Sequence, residues 1–354
     1  MSISDQSGQG VGAGSSTSLG SRLIAWYPRV ILIIACYYFA DIYCTVRHPY
    51  LDLVKFAHGQ ERLPFQARDL MRWPMLAADH SAYLRHMTAA RSLLRSPEFF
   101  VMELAAAVSL MLAGWSAVKL YRLALPDGPT PELPFVILII ICYYDFLLGV
   151  PFSFPYDLPS TAFLGWGTYF AMRRRFWALL PIFVLATWNR ETSLFLIGVV
   201  LVVAVCRSGK LHWRNLRATD FVQIALMFVI WAGILIAQRH HYAGNPSEAG
   251  TRIESNLRYL ANPQLWPHIL SASAFLLPYV FFNRNRIAFA PIRYSMLLLP
   301  FWVLLLLSVG QILEVRIYGD ISVLIAVATA LLLVRSIREH RDAGGFQRAT
   351  GVSP

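Results

Sequence analysis

The sequence predicts an all-α, polytopic membrane protein with about ten membrane segments. Of its 354 residues, 56% are hydrophobic and only 14% are charged, whereas a soluble domain carries about 25% charged residues. Apolar runs recur along most of the chain, and the basic residues flank these runs instead of forming a patch of their own. The net charge of +11 therefore favours contact with membrane lipids over nucleic acid, which we do not expect as a partner.

The chain divides into one membrane domain, 22–340, between two short cytoplasmic tails. The first tail, 1–21, is rich in glycine and serine and is expected to be disordered; the second is 341–354. The predicted membrane segments are about 24–45, 99–121, 135–152, 158–172, two short limbs around Asn189, then 220–238, 265–282, 294–310 and 321–334. A long segment, 46–98, separates the first two.

The distribution of basic residues predicts which side each loop faces. With both termini cytoplasmic, 18 of the 31 lysines and arginines fall on the cytoplasmic side, and only five lie in short outer loops. That bias follows the positive-inside rule. The polar stretches that do not anchor a segment then all face outward: 46–98, Tyr156–Asp157, Asn189–Thr192, 239–263 and 314–320.

The stretch Trp188–Ser193 interrupts a long apolar run with charged and amide side chains. Basic clusters lie at both ends of that run, which predicts a hairpin that enters from the cytoplasm and returns. Each limb is roughly 20 Å of helix, against an apolar bilayer core of about 30 Å. Asn189, Arg190 and Glu191 would therefore lie within the membrane, where ionisable groups are usually functional. Alternatively, Arg190 and Glu191 pair with each other or with a neighbouring residue and only pin the hairpin.

The segment 46–98 contains two predicted amphipathic helices, Leu63–Trp73 and Tyr83–Arg95, which would lie at the membrane surface. Arg68 belongs to the first and Arg91 to the second. A guanidinium at this depth can bind a lipid phosphate with two parallel hydrogen bonds. The alternative is contact with ordinary anionic lipid.

Two aspartates near the outer end of the first segment, Asp41 and Asp52, are candidate general bases. Partial burial raises the pKa of a carboxylate toward the range that proton transfer needs. For Asp41 the alternative is a helix-terminal charge or a partner for Arg47.

Two further polar stretches carry candidate binding residues. Asp157 precedes Pro159 and is typical of a helix start, and a helix N-terminus attracts anions. Glu314, Arg316 and Asp320 lie between two apolar segments, where they would either form a structural ion pair or orient an arginine toward a phosphate. No histidine or cysteine spacing indicates a divalent metal.

Four strings, together with a first span that ends in an acidic residue, resemble the GT-C class of integral-membrane glycosyltransferases. The strings are LPFQARDL (63–70), PYDLP (155–159), NRETSL (189–194) and EVRIYGD (314–320). The resemblance implies an enzyme of the bacterial inner membrane that uses a polyprenyl-phosphate-linked sugar as donor substrate, a glycan or lipid as acceptor, and an aspartate base in the first outer loop. The alternatives are a flippase or transporter of a lipid-linked glycan, or a non-catalytic membrane scaffold.

Overall fold

The computed structural model describes residues 19–46, 48–90, 96–148, 152–207, 209–248 and 250–350, and most of them are helical. The α-helices are α1 (Leu19–Thr45), α2 (Leu53–Ala57), α3 (Arg72–His80), α4 (Ala82–Ala90), α5 (Pro97–Ala124), α6 (Leu133–Cys142), α7 (Asp157–Met172), α8 (Phe176–Asn189), α9 (Leu194–Val205), α10 (Ala218–His241), α11 (Ile253–Ala261), α12 (Trp266–Leu270), α13 (Leu276–Asn283), α14 (Ala290–Ser295), α15 (Leu298–Val309) and α16 (Ser322–Thr350). A π-helical turn, Tyr143–Leu148, follows α6, and 3₁₀ turns cover Asp69–Met71, Glu191–Ser193, Trp213–Asn215, Pro263–Leu265, Ala272–Phe275, Arg284–Arg286 and Val315–Ile321. Two short strands, β1 (His48–Pro49) and β2 (Phe152–Ser153), pair in parallel.

The all-α prediction is confirmed, and the helices include several that are long and apolar enough to cross a membrane. Among the described residues these are Tyr27–Thr45, Pro97–Ala124, Ala218–His241, Ala290–Ser308 and Val315–Asp342, with a sixth if the pair Pro263–Leu270 and Ala272–Arg286, bent by 85°, counts as one span. Three shorter apolar helical stretches are Leu133–Leu148, Phe176–Asn189 and Glu191–Val205. Each of the ten predicted segments thus overlaps a helical stretch, and half of them reach spanning length.

The long helices occupy very different places in the bundle. Of the 18 most apolar consecutive residues in Val315–Asp342, 89% are buried, whereas 11% of the corresponding residues in Ala218–His241 are buried. α16 is therefore the central helix, packed against α5, α6 and α7, and α10 lies at the periphery with most of its apolar surface exposed. Exposed apolar surface of this extent on a long helix is typical of contact with lipid.

The helices α8 and α9 form the hairpin that the sequence predicted. Arg190 is extended, with φ −164° and ψ 140°, and this single residue ends α8. The chain then folds back. The side chain of Arg174, two residues before α8, donates to the Val203 carbonyl near the end of α9 at 3.0 Å, which shows that the two limbs lie side by side. At the turn, the hydroxyls of Thr187 and Ser193 lie 2.9 Å apart.

The hairpin turn lies partway along α10 instead of at its end. The Trp231 indole N–H donates to the Glu191 carbonyl at 2.9 Å. Trp231 is roughly 20 Å along α10 from its first residue, Ala218, and the 24-residue helix is roughly 36 Å long, at 1.5 Å rise per residue. The turn is therefore deeper in the bundle than the end of its long neighbour.

The first predicted surface helix, Leu63–Trp73, is wrong in position. Residues 64–67 form a turn, and helical structure begins only at Asp69 and continues into α3. The physical reason is that Arg68 turns inward to Glu191, which a continuous surface helix would not allow. The second prediction, Tyr83–Arg95, overlaps α4; residues 91–95, including Arg91, lie outside the described residues.

The two ends of the bundle differ in character. At one end lie the end of α1, the start of α7, the hairpin turn and the 3₁₀ turn before α16; we call this the cavity end. At the other, the basic end, lie the beginning of α1 and the last turns of α16. Exposed ion pairs occur there, such as Arg286 with Glu339 at 2.5 Å.

Candidate functional site

A buried network of charges joins three separate parts of the chain at the cavity end. Arg190 of the hairpin turn places Nη1 3.3 Å from Oδ1 of Asp157 and 3.3 Å from Oδ1 of Asp320. Arg316, in the 3₁₀ turn, places Nη1 3.0 Å from Oδ1 of Asp157. These four side chains are no more than 5% exposed. Their charges balance one another, as burial of ions requires.

Asp157, the first residue of α7, is the centre of this network. Besides both arginines, it accepts a hydrogen bond from the Tyr43 hydroxyl at 3.2 Å. The same hydroxyl accepts from the Phe154 backbone N–H at 2.8 Å, so α1 also fixes the approach to α7. The Asn189 amide donates to the Tyr156 carbonyl at 2.9 Å and ties the hairpin turn to the same place.

Two further carboxylates, both partly exposed, extend the network outward. Glu314 accepts from Nη2 of Arg316 at 2.9 Å, and Glu191 accepts from Nε of Arg68 at 3.0 Å and from its Nη2. Both carboxylates are 37% exposed. The Arg68 guanidinium also lies 5.0 Å from the centre of the Tyr156 ring. Arg68 thereby fixes the segment 46–98 to the helical bundle.

Most of the ion pairs in the network join segments that are distant along the chain. Arg190 pairs with Asp157 and Asp320, and Glu191 pairs with Arg68. Arg316 pairs with Asp157 and Glu314. The alternative in which Arg190 pairs with Glu191 is therefore not what the structure shows, and every one of these residues belongs to the network.

A cavity of about 390 Å³ opens beside the network. One wall is aromatic: the ring centres of Phe65, Phe152 and Phe154 lie 5.4, 4.8 and 5.4 Å from that of Tyr50. The other lining residues are Leu313 and the polar residues Glu248, Arg252, Gln311, Glu314 and Arg316. A pocket with a mainly aromatic face and a few convergent polar groups is the usual form of a ligand site.

Arg316 is the residue that connects the buried network with the cavity. Its guanidinium lies 3.7 Å over the Phe154 ring, and its Nε–H has no hydrogen-bond partner among the described residues. Arg252 is exposed at the rim. Two guanidinium groups therefore face one cavity, which is the arrangement that recognises a phosphate.

A second cluster of polar side chains joins the segment 46–98 to α10 and to Tyr242, which follows it. The Tyr242 hydroxyl donates to Oδ2 of Asp69 at 2.7 Å and accepts from Arg72 at 2.8 Å, and Gln238 donates to Oδ1 of Asp69 at 3.0 Å. Burial and the Asp69 carboxylate raise the pKa of Tyr242 to about 12. The hydroxyl therefore stays protonated near neutral pH, and the loop that carries Arg68 and Phe65 is held in place.

The two aspartates predicted as bases lie away from the cavity. Asp52 caps α2, accepting from the backbone N–H groups of Val54 and Lys55 at 3.1 Å each. Asp41 is half-buried on α1, within electrostatic range of Glu103 on α5. Neither residue lines the cavity.

Asp145 is a fully buried carboxylate that was not among the predicted site residues. It lies in the π-helical turn. Its Oδ1 accepts from the backbone N–H of Ser273 at 2.7 Å, where the chain takes positive φ angles from Ser273 to Phe275. An ionisable residue within an apolar run is the signal that singled out Arg190 and Glu191, and it also applied to Asp145.

Among the described residues, no group of three or more histidines, cysteines and carboxylates is arranged to hold a metal ion. No protein-family model, no curated protein and no solved structure matches the chain.

Proposed function

We propose that the protein is a membrane glycosyltransferase that transfers a sugar from a polyprenyl-phosphate carrier to a glycan or lipid acceptor at the outer face of the bacterial inner membrane. The observation that carries this proposal is the cavity, which combines two arginines, two carboxylates and an aromatic wall at one end of a membrane-type bundle. The network behind Arg316 holds the guanidinium in a fixed orientation, and fixed charges stabilise a developing anion at low reorganisation cost.

The cavity suits the polar part of such a donor. The phosphate would bind Arg316 and Arg252, and the sugar would lie against the aromatic wall of Tyr50 and Phe152. Arg316 suits this role because it lines the cavity and its Nη2 binds Glu314, a partly exposed group that a phosphate can displace. The polyprenyl chain would leave the site along exposed apolar helix surfaces.

The proton acceptor in this proposal is Glu314 instead of Asp41 or Asp52, because Glu314 lines the cavity. A phosphate that binds Arg316 competes with Glu314 for the guanidinium and leaves the carboxylate able to accept a proton. The acceptor hydroxyl gives its proton to Glu314 and its oxygen forms a bond to the anomeric carbon. The bond from that carbon to the phosphate oxygen breaks, and the lipid phosphate departs with the bonding electrons, stabilised by Arg316 and Arg252.

The orientation in the membrane is part of the proposal. The basic end would face the cytoplasm, because the charge bias of the short loops follows the positive-inside rule and the ends of α1 and α16 that continue to the termini lie there. Reporter fusions at residue 75 and at the C-terminus are expected to report opposite sides. A report of the same side from both would overturn the orientation.

The experiment that tests the chemistry compares Arg316→Lys and Glu314→Gln in protein shown to be folded. Arg316→Lys keeps the charge but loses the planar fork, so binding of a polyprenyl phosphate should weaken by about tenfold or more. Glu314→Gln should keep that binding and abolish sugar transfer. Asp41→Asn is the matched control and should retain both.

Other outcomes would redirect the proposal. If Asp41→Asn or Asp52→Asn abolishes transfer while Glu314→Gln retains it, the base is one of the aspartates. If the wild-type protein moves a lipid-linked glycan across vesicles without any transfer, it is a flippase. If neither polyprenyl phosphate nor its sugar conjugate binds the folded protein, the buried network is structural and the protein is a scaffold.

A further inference from the structure

A second cavity lies at the opposite end of the bundle, between the hairpin limbs, α7 and α10. Its volume is about 220 Å³, and we call it the basic pocket. Apolar side chains form its walls, among them Phe170, Leu179 and Val200. Arg174 and Arg207 form its polar rim together with Asp220 of α10. None of these residues belongs to the proposed active site.

Positive charge exceeds negative charge at this rim. The Arg207 Nη2 lies 2.5 and 2.6 Å from the two carboxylate oxygens of Asp220, and the Arg217 backbone N–H also donates to Asp220 at 2.9 Å. Arg174 lies within electrostatic range of both Arg207 and Arg217. The Arg207 guanidinium alone binds the carboxylate, and the charges of Arg174 and Arg217 lie nearby, so two positive charges stay uncompensated among these four residues.

Arg174 lines the pocket and has an unusual backbone conformation. Its φ of +55° lies in the left-handed region, which a residue other than glycine rarely adopts. One Nη2–H donates to the Val203 carbonyl, and the residue is otherwise exposed. The Nε–H of Arg207 is buried and without a hydrogen-bond partner among the described residues. The exposed Arg174 guanidinium, which uses one N–H on Val203, therefore supplies the donors that an anionic ligand reaches at the rim.

The surface beside the pocket is apolar. Phe221 and Val222, next to Asp220 on α10, are 64% and 63% exposed, and Trp177 at the start of α8 is 78% exposed. An exposed tryptophan next to arginines is typical of the membrane–water interface. A ligand with a phosphate in the rim and hydrocarbon along α10 would match both kinds of surface.

We propose that the basic pocket binds the phosphodiester headgroup of an anionic glycerophospholipid, with its acyl chains along the exposed face of α10. The occupant is a lipid instead of free phosphate because the pocket walls and the adjoining surface are apolar. The lipid would join the limbs of the hairpin to α10, the same helix that holds the hairpin turn through Trp231. This site is independent of the sugar chemistry proposed for the cavity end.

The test uses the purified full-length chain in a neutral detergent and measures its thermal unfolding with added lipid. Phosphatidylglycerol is expected to raise Tm in a saturable way, because a ligand that binds only the folded state stabilises it. Phosphatidylcholine and inorganic phosphate are expected to leave Tm unchanged. Arg174→Gln should raise the half-saturating phosphatidylglycerol concentration by about tenfold or more, the effect of losing a charge-assisted hydrogen bond.

Arg173→Gln is the matched control. It removes the same charge one residue away from a side chain that is exposed and bonded to Tyr169, so it should keep the wild-type response. Arg174→Lys, which retains the charge, should show an intermediate response and guards against misfolding of the glutamine variant. An equal loss in Arg173→Gln, an equal effect of phosphatidylcholine, or saturation by inorganic phosphate alone would each overturn the proposal.

Discussion

The two ends of the bundle carry the same kinds of ion pair in very different surroundings. At the cavity end, Arg190, Arg316 and Asp157 are at most 5% exposed. At the basic end, Arg286 and Glu339 are 38% and 47% exposed. Exposed pairs contribute about 0–1 kcal/mol each, whereas removing one partner of a buried pair costs roughly 3–5 kcal/mol. Desolvation of the charges, and not the presence of an ion pair, is therefore what distinguishes a rigid charged site from a solvated surface.

The largest effect is expected from Asp157→Ala, which removes the carboxylate shared by Arg190 and Arg316. The two arginines would remain buried without their common partner, and the free energy of unfolding should fall by roughly 3–5 kcal/mol. Denaturant unfolding of the purified protein in detergent measures this change. Glu339→Ala at the basic end is the control and should lower stability by about 0–1 kcal/mol. Equal losses would show that the two ends do not differ as their burial suggests.

The next effect concerns the backbone that supports Arg316 and Asp320. Gly319 lies between them, and a Cβ there would meet Phe146 Cζ at 2.1 Å. Gly319→Ala should destabilise the protein by about 1–3 kcal/mol through overpacking. Gly233→Ala in α10, where no atom lies within 4 Å, should instead be neutral or stabilising by up to about 1 kcal/mol. The same sign for both variants in unfolding experiments would contradict the expected contact.

Asp145 provides a buried carboxylate without the arginine partners that Asp157 has. Asp145→Leu leaves the Ser273 N–H without its acceptor and should cost about 1–3 kcal/mol of stability. Asp145→Asn keeps an acceptor oxygen and should cost much less. The comparison is made by thermal unfolding of both variants, and a loss in Asp145→Asn as large as that in Asp145→Leu would mean that the negative charge itself is required.

The smallest effect is expected at Asp52, whose carboxylate caps α2. Asp52→Ala should cost about 1 kcal/mol, whereas Asp52→Ser keeps a capping oxygen and should cost less. Sugar transfer by the folded variants should stay at the wild-type level. Abolished transfer in Asp52→Ser would return Asp52 to the role of base that the sequence suggested.

Several features of the fold could be predicted because they depend on local pattern. Apolar runs bounded by arginines predict helices and their order, and one charged stretch in the run 176–206 predicts the hairpin turn. The extended backbone at Arg190 occurs where that stretch begins. The prediction for Leu63–Trp73 failed because the pattern contained no sign of the inward contact of Arg68 with Glu191.

Sequence pattern was enough to single out Asp157, Arg190, Arg316 and Asp320, because each of them interrupts an apolar stretch, and a charge that is buried needs a partner. Tertiary structure decided the partners. Arg316 and Asp320 stand four residues apart, a spacing that pairs in an α-helix, but Val315–Ile321 is a 3₁₀ turn, in which the side chains that eclipse are three residues apart. The packing of α7 against α8 and the 3₁₀ turn brings Asp157 to both arginines, and no local spacing in the chain encodes that approach.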